Sequence, residues 1–156
     1  CYNKYLVNRV EEREYIMAYV SQEEKKVLAV EIKKVCKKYG YKVSLAIRHH
    51  STLVAKVKGA EDLMKGYCDV QMTPNKVLKR ELNGYNNFSV ERILEESAKW
   101  GHNVNTYWHC ENYCEKGVAF LTELKSAMEG KDFFNDDDSM TDYFHRSHYT
   151  DIKLYA

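Results

Sequence analysis

Between Ser21 and Lys58 the apolar residues change period, and that change limits the chain to folds in which a helix feeds directly into a pair of strands. Leu28, Ile32, Val35, Cys36 and Tyr39 recur at helical spacing and form a single stripe. Ser21-Gln22-Glu23-Glu24 has the S-x-x-E form of a capping box, so a helix is expected to start there, with Gly40 as its stop. Val43, Leu45 and Ile47 then alternate with Lys42, Ser44, Ala46 and Arg48, and Leu53, Ala55 and Val57 alternate with Thr52, Val54, Lys56 and Lys58. A period of two means strands with one buried face. The two are expected to form a hairpin, with Arg48-His49-His50-Ser51 at or near its turn.

Residues 59–88 give a weaker pattern. Thr73-Pro74 is a cap and first-turn pair for a short helix through Leu82, closed by Asn83-Gly84, and Ser89 caps another that carries Val90, Ile93, Leu94 and Ala98 up to Gly101. His102 to His109 is β-branched and aromatic and predicts a strand. Helical spacing returns over 115–129 through Phe120, Leu121, Leu124, Ala127 and Met128. An acidic loop leads to a last strand at about 147–155, with His148, Thr150, Ile152 and Leu154 on one face. The expected fold is α+β, a mostly antiparallel sheet of about four strands with helices packed on one face, in a single domain over 17–156. A chain of 156 residues can bury a self-sufficient core without disulfide staples. The chain opens on Cys1, and Glu11-Glu12-Arg13-Glu14 can be encoded by a purine run of ribosome-binding type ahead of Met17, so residues 1–16 are expected to be a translated leader or a disordered arm outside the fold.

The net charge of +1 hides an asymmetry: residues 1–80 carry 17 Lys/Arg against 9 Asp/Glu, and residues 81–156 carry 7 against 14. One half is basic and the other acidic, which suits either mutual packing or a basic face for phosphates or an acidic partner. No run reaches the roughly 18 apolar residues of a membrane span. The N-terminus lacks a signal-peptide apolar core, and five cysteines at irregular spacing do not form a secreted disulfide framework, so a cytoplasmic, thiol-reduced protein is expected. No P-loop, G-x-G-x-x-G or nucleophile-elbow motif occurs, which excludes the common nucleotide-driven, dinucleotide and α/β-hydrolase classes.

Five short motifs occur in order: Met17-Ala18-Tyr19-Val20-Ser21, His50-Ser51-Thr52-Leu53-Val54, Val104-Asn105-Thr106-Tyr107-Trp108, Met140-Thr141-Asp142-Tyr143-Phe144 and Tyr149-Thr150-Asp151-Ile152. Together they resemble a family of small, uncharacterised tailed-bacteriophage proteins over most of 17–156. The resemblance implies a phage-encoded accessory protein in the cytoplasm of an infected bacterium, and it carries no assigned activity. It also implies a further Gly- and Trp-containing tail after Ala156.

Three constellations offer chemistry. His50-Ser51-Thr52 and His148-Tyr149-Thr150 are two H-x-T motifs on or entering strands, and this pairing resembles the two-histidine phosphoesterase superfamily. There His50 and His148 would exchange protons with nucleophile and leaving group, while Thr52 and Thr150 would hold the phosphate. The facing is awkward, because His148 and Thr150 share a face with Ile152 and Leu154 whereas His50 and Thr52 oppose Leu53, Ala55 and Val57. His109, Cys110 and Cys114, with His102, His145 and His148, offer imidazoles and thiols for zinc, but their spacing matches no known finger. Burial of Cys110 as a small hydrophobe competes with that reading. The acidic run Asn135 to Ser139 lacks the glycine of an EF-hand loop. No metal or cofactor is assigned.

Thirteen tyrosines, interleaved with lysines in the N-terminal half, raise nucleic-acid binding, for which single-strand recognition needs stacking platforms and a basic groove. But Tyr2, Tyr5, Tyr15 and Tyr19 fall in or near the expected leader, Tyr39 lies on the helix core stripe, and the acidic C-terminal half disfavours a general phosphate-backbone binder. The leading expectation is a non-enzymatic accessory protein that binds a host or phage protein or nucleic acid, with no membrane partner. Lys33 and Lys37 on the Lys-rich helix, Arg48, and the aromatic pair Tyr107 and Trp108 are the expected contact residues. The alternative is a phosphoesterase acting through His50, Thr52, His148 and Thr150 on a nucleotide, a cyclic oligonucleotide or an RNA end.

Overall fold

The structure is a computed structural model that describes residues 18–85, 87–137, 140 and 146–156. The expected leader, residues 1–16, lies outside the described residues, as do Met17 and His145. Among the described residues the order is α1 (Gln22–Tyr39), β1 (Lys42–Arg48), β2 (Thr52–Lys58), α2 (Glu61–Gln71), α3 (Pro74–Leu82), α4 (Val90–Trp100), β3 (His102–Asn103), α5 (His109–Asn112), α6 (Glu115–Glu129) and β4 (Tyr149–Tyr155). None of these helices is long and apolar enough to cross a membrane.

Local chemistry sets the first elements. The Ser21 hydroxyl accepts from the Glu24 N–H at 3.1 Å, and the Ser21 N–H donates back to Glu24 Oε2 at 2.8 Å, so the capping box is complete. Gly40 ends α1 in the left-handed region at φ 83°, which leaves its N–H free to reach the Cys36 and Lys37 carbonyls. β1 and β2 form the expected antiparallel hairpin, from Lys42↔Lys58 to Arg48↔Thr52. Its turn places His49 and His50 at φ 54° and 59°. Two successive left-handed residues match the twist of a tight hairpin, where Asn-Gly is the usual choice, and histidine tolerates this region better than most side chains.

The α+β class holds, with a correction to the sheet. Its strand order is β1-β2-β4-β3, and it is mixed: β1–β2 and β3–β4 are antiparallel, but β2 and β4 pair in parallel over their full length. Parallel neighbours need a long crossover, here the chain from α2 to α6, and residue alternation cannot reveal strand direction. The core lies on one face of this sheet. Leu53, Ala55 and Val57 from β2 and Ile152 and Leu154 from β4 meet Ile32 and Cys36 of α1, Leu63 and Met64 of α2, and Phe120, Leu121, Leu124 and Met128 of α6. Phe120 is held edge-on between Tyr39 and Tyr41, with centroids 5.2 and 4.8 Å away.

Two further expectations change. The strand predicted over His102 to His109 shrinks to two residues. The Asn105 side chain accepts from the Tyr107 N–H at 3.1 Å and its carbonyl accepts from the Trp108 N–H at 3.2 Å, which turns the chain into α5. The weakly patterned stretch after β2 holds α2, whose start carries no side-chain cap and whose buried face includes Gly66, Cys68 and Gln71 alongside Leu63 and Met64. Gly66 is required there, since a Cβ would run into the Cys114 side chain.

Candidate functional site

The residues that alternate with the core positions form the opposite face of the sheet. The registers align them in rows: Lys42, Lys58 and Tyr155; then Ser44, Lys56, Lys153 and Asn103; then Ala46, Val54 and Asp151; then Arg48, Thr52 and Tyr149. β1 and β2 contribute four cations to this face and no carboxylate. Lys42 stands directly across from Lys58, and Lys56 directly across from Lys153. Like charges in such cross-strand positions are repulsive, by roughly 0.2–1 kcal/mol per pair. None of these four lysines has an ion-pair partner among the described residues. Elsewhere many exposed cations are matched, as in Lys38–Glu123 at 3.0 Å, Lys65–Glu61 at 3.0 Å and Arg92–Glu96 at 2.8 Å.

The single acid that the strand residues bring to this face, Asp151, is neutralised within it. Arg48 NH1 lies 3.1 Å from Asp151 Oδ2. Since β2 runs between β1 and β4, the pair reaches across β2, where Thr52 and Val54 are buried. The other end of the face, with Lys42, Ser44 and Lys58, is exposed. The electrostatics are therefore graded: an internally paired end at Arg48 and Asp151, and an exposed end whose lysines have no ion-pair partner among the described residues.

Of the other expected contact residues, Lys33 and Lys37 lie away from it, while Tyr107 meets its Arg48 end through Arg146. Lys33 and Lys37 are exposed on α1, a helix that packs on the core face of the sheet. Tyr107 and Trp108 are exposed in the turn before α5, where Lys125 Nζ sits 5.6 Å from the Tyr107 ring and Asn112 donates to the Trp108 carbonyl at 2.9 Å. Arg146 contacts Tyr107, lies 4.5 Å from the Tyr149 ring and is ion-paired with Asp137. The basic sheet face was missed because its members lie on strands far apart in sequence. Its signal is present as the polar half of each alternation, but the rows assemble only once β2 and β4 are paired.

The H-x-T residues are neighbours in the fold without facing one another. Thr52 and Tyr149 are register partners, as are Leu53 and Thr150, so the two threonines project to opposite faces. His148 is buried against the Phe133 ring, with Nε2 2.9 Å from the Met128 carbonyl, whereas His50 is exposed in the hairpin turn. Among the described residues, His50 and His148 do not open into one cleft. His109 is likewise occupied, with Nδ1 2.9 Å from the Thr106 carbonyl and Nε2 2.9 Å from the Thr122 hydroxyl. Among the described residues no group of three His, Cys, Asp or Glu side chains could hold a metal ion.

Two polar clusters are structural ties. Tyr41 donates to Asp62 Oδ2 at 2.7 Å, and Lys116 Nζ meets the same oxygen at 2.7 Å, beside a shallow depression between the end of α1, the start of α2 and Lys116 of α6. Burial, and then the Asp62 carboxylate, push the Tyr41 hydroxyl up to about 12. Burial alone would raise Asp62, but the bonds from Lys116 and Tyr41 outweigh it and hold the carboxyl below its usual range. A protonated phenol and an ionised carboxylate that satisfy one another leave no acid–base pair poised near neutral pH. His102 packs 4.8 Å from the Tyr67 ring and 6.4 Å from Tyr113, and burial pulls its pKa down. Comparison with protein-family models, curated proteins and solved structures gives no match.

Proposed function

We propose that this chain is a small accessory protein that binds nucleic acid through the basic face of its sheet, in the cytoplasm of the infected bacterium that the tailed-phage resemblance implies. One observation carries the reading: Lys42/Lys58 and Lys56/Lys153 are like-charged cross-strand pairs with no ion-pair partner among the described residues, and the one acid that the strands themselves bring to this face, Asp151, is already bound to Arg48. Repulsion of this kind weakens a fold unless an external anion relieves it. A phosphate backbone supplies such anions at regular intervals. Strand geometry puts cations on adjacent strands about 5 Å apart and those two residues apart about 6.7 Å apart, comparable to successive phosphates. The near-neutral total charge does not oppose this, because affinity depends on the local field at the face and not on the sum over the chain.

The test is a fluorescence-anisotropy titration of a twelve-nucleotide single-stranded oligonucleotide at a series of salt concentrations. Binding should weaken with a log–log slope of about −3, from roughly −0.7 for each of four contacted phosphates. The variant with Lys42, Lys56, Lys58 and Lys153 all changed to Gln should lose it, and a Lys33→Gln/Lys37→Gln protein should bind as the wild type does. Equal affinity of the quadruple variant, or no binding by the wild type at low salt, would overturn the reading.

A further inference from the structure

Tyr155 stands on the same face as the four lysines, in the row of Lys42 and Lys58 and two residues beyond Lys153. Its ring position is fixed by an absence. A Cβ built on Gly101 would lie 2.8 Å from Tyr155 Cζ and 3.0 and 3.1 Å from its two Cε atoms, so the ring lies against the bare Cα of residue 101. Gly101 is at φ 81° and ψ 147°, a region that residues with a Cβ rarely enter, so both its backbone shape and the ring above it depend on glycine. The chain thus holds an aromatic ring in one place, part-exposed, at the exposed, lysine-bearing end of the basic face.

Resting on the nucleic-acid reading above, we infer that the ligand is single-stranded and that one of its bases stacks on the Tyr155 ring, while Lys58 and Lys153 hold the flanking phosphates. The step from polyanion to single strand follows from what each ligand exposes. A duplex presents phosphates to a flat basic sheet but keeps its base faces stacked inside, so a fixed aromatic ring gains nothing from it. An unpaired strand presents both, and a base on an aromatic ring is accepted whatever its identity. A ring already immobilised against Gly101 loses little conformational freedom on binding, which favours its use as a platform.

The experiment compares three probes of equal length and charge at one salt concentration: a single-stranded oligonucleotide, its abasic analogue and polyphosphate. The single strand should bind about tenfold more tightly than the other two, and Tyr155→Leu should remove that margin while leaving polyphosphate binding unchanged, with Tyr155→Phe retaining it. Retained polyphosphate binding also shows that the variant is folded. If single strand, abasic strand and polyphosphate bind equally, or Tyr155→Leu leaves the margin intact, the stacking inference fails and the charge reading stands. If none of the three binds, the nucleic-acid reading itself has failed.

Discussion

The two faces of the sheet use the same strands and follow opposite rules. On one, Leu53, Ala55, Val57, Ile152 and Leu154 are fully buried and meet the helices; on the other, one residue along from Ala55, Val57 and Ile152, stand Lys56, Lys58 and Lys153, which with Lys42 form like-charged pairs without an ion-pair partner among the described residues. The first face minimises its free energy within the chain. The second keeps two like-charged pairs side by side, with only Arg48 and Asp151 matched across it. Alternation of a strand makes this division available at no cost in length, since each residue commits to one face or the other.

If the division is real, substitutions on the two faces should differ in size and in sign. The largest effect belongs to the core: Phe120→Ala should lower stability by about 3–5 kcal/mol in urea unfolding, because it removes the ring that Tyr39 and Tyr41 enclose. A loss near zero would mean that α6 does not close the core as described. Next comes a pH effect confined to the core side. His102 has a folded pKa below its ordinary value near 6.5, so as pH falls the unfolded chain takes up the proton first. Stability that is complete above that value should decline as the pH drops below it. Thermal melts from pH 7.5 to 5.5 should show the decline in the wild type and a flatter profile in His102→Phe, which keeps an aromatic ring beside Tyr67; parallel profiles would reject burial of a neutral imidazole as the cause. The smallest effect has the opposite sign. Lys56→Gln or Lys153→Gln should leave stability unchanged or raise it by a few tenths to about 1 kcal/mol, with the gain shrinking at high salt, and a clear loss would break the comparison.

Much of the core face was legible in the sequence, because it is written in local signals. The α1 capping box, Gly40, the hairpin and the apolar stripe of α6 each depend on residues within a turn or two of one another. The basic face was legible only in fragments. Lys42, Lys56, Lys58 and Lys153 could each be seen to oppose a core residue, but their adjacency requires the parallel pairing of β2 and β4, a tertiary fact. Charge counted by halves of the chain pointed away from a phosphate binder, since Lys153 sits in the acidic half and Asp151 is silenced by an arginine from the basic one. α2 escaped notice because Gly66 reads as a breaker and Gln71 as a surface residue, although the fold buries both.

The parallel pairing also fixes when the sheet can form. Every rung between β2 and β4 joins residues 97 positions apart, and β4 is an interior strand, flanked by β2 and β3. The hairpin can close as soon as residue 58 is available, yet it must keep its inner edge open while five helices are made. Loop closure over such a separation slows folding, and an unpaired strand edge is prone to pair with other chains in the interval. On the ribosome the lysine array is completed only when the segment bearing Lys153 and Tyr155 inserts beside the hairpin that already carries Lys42, Lys56 and Lys58.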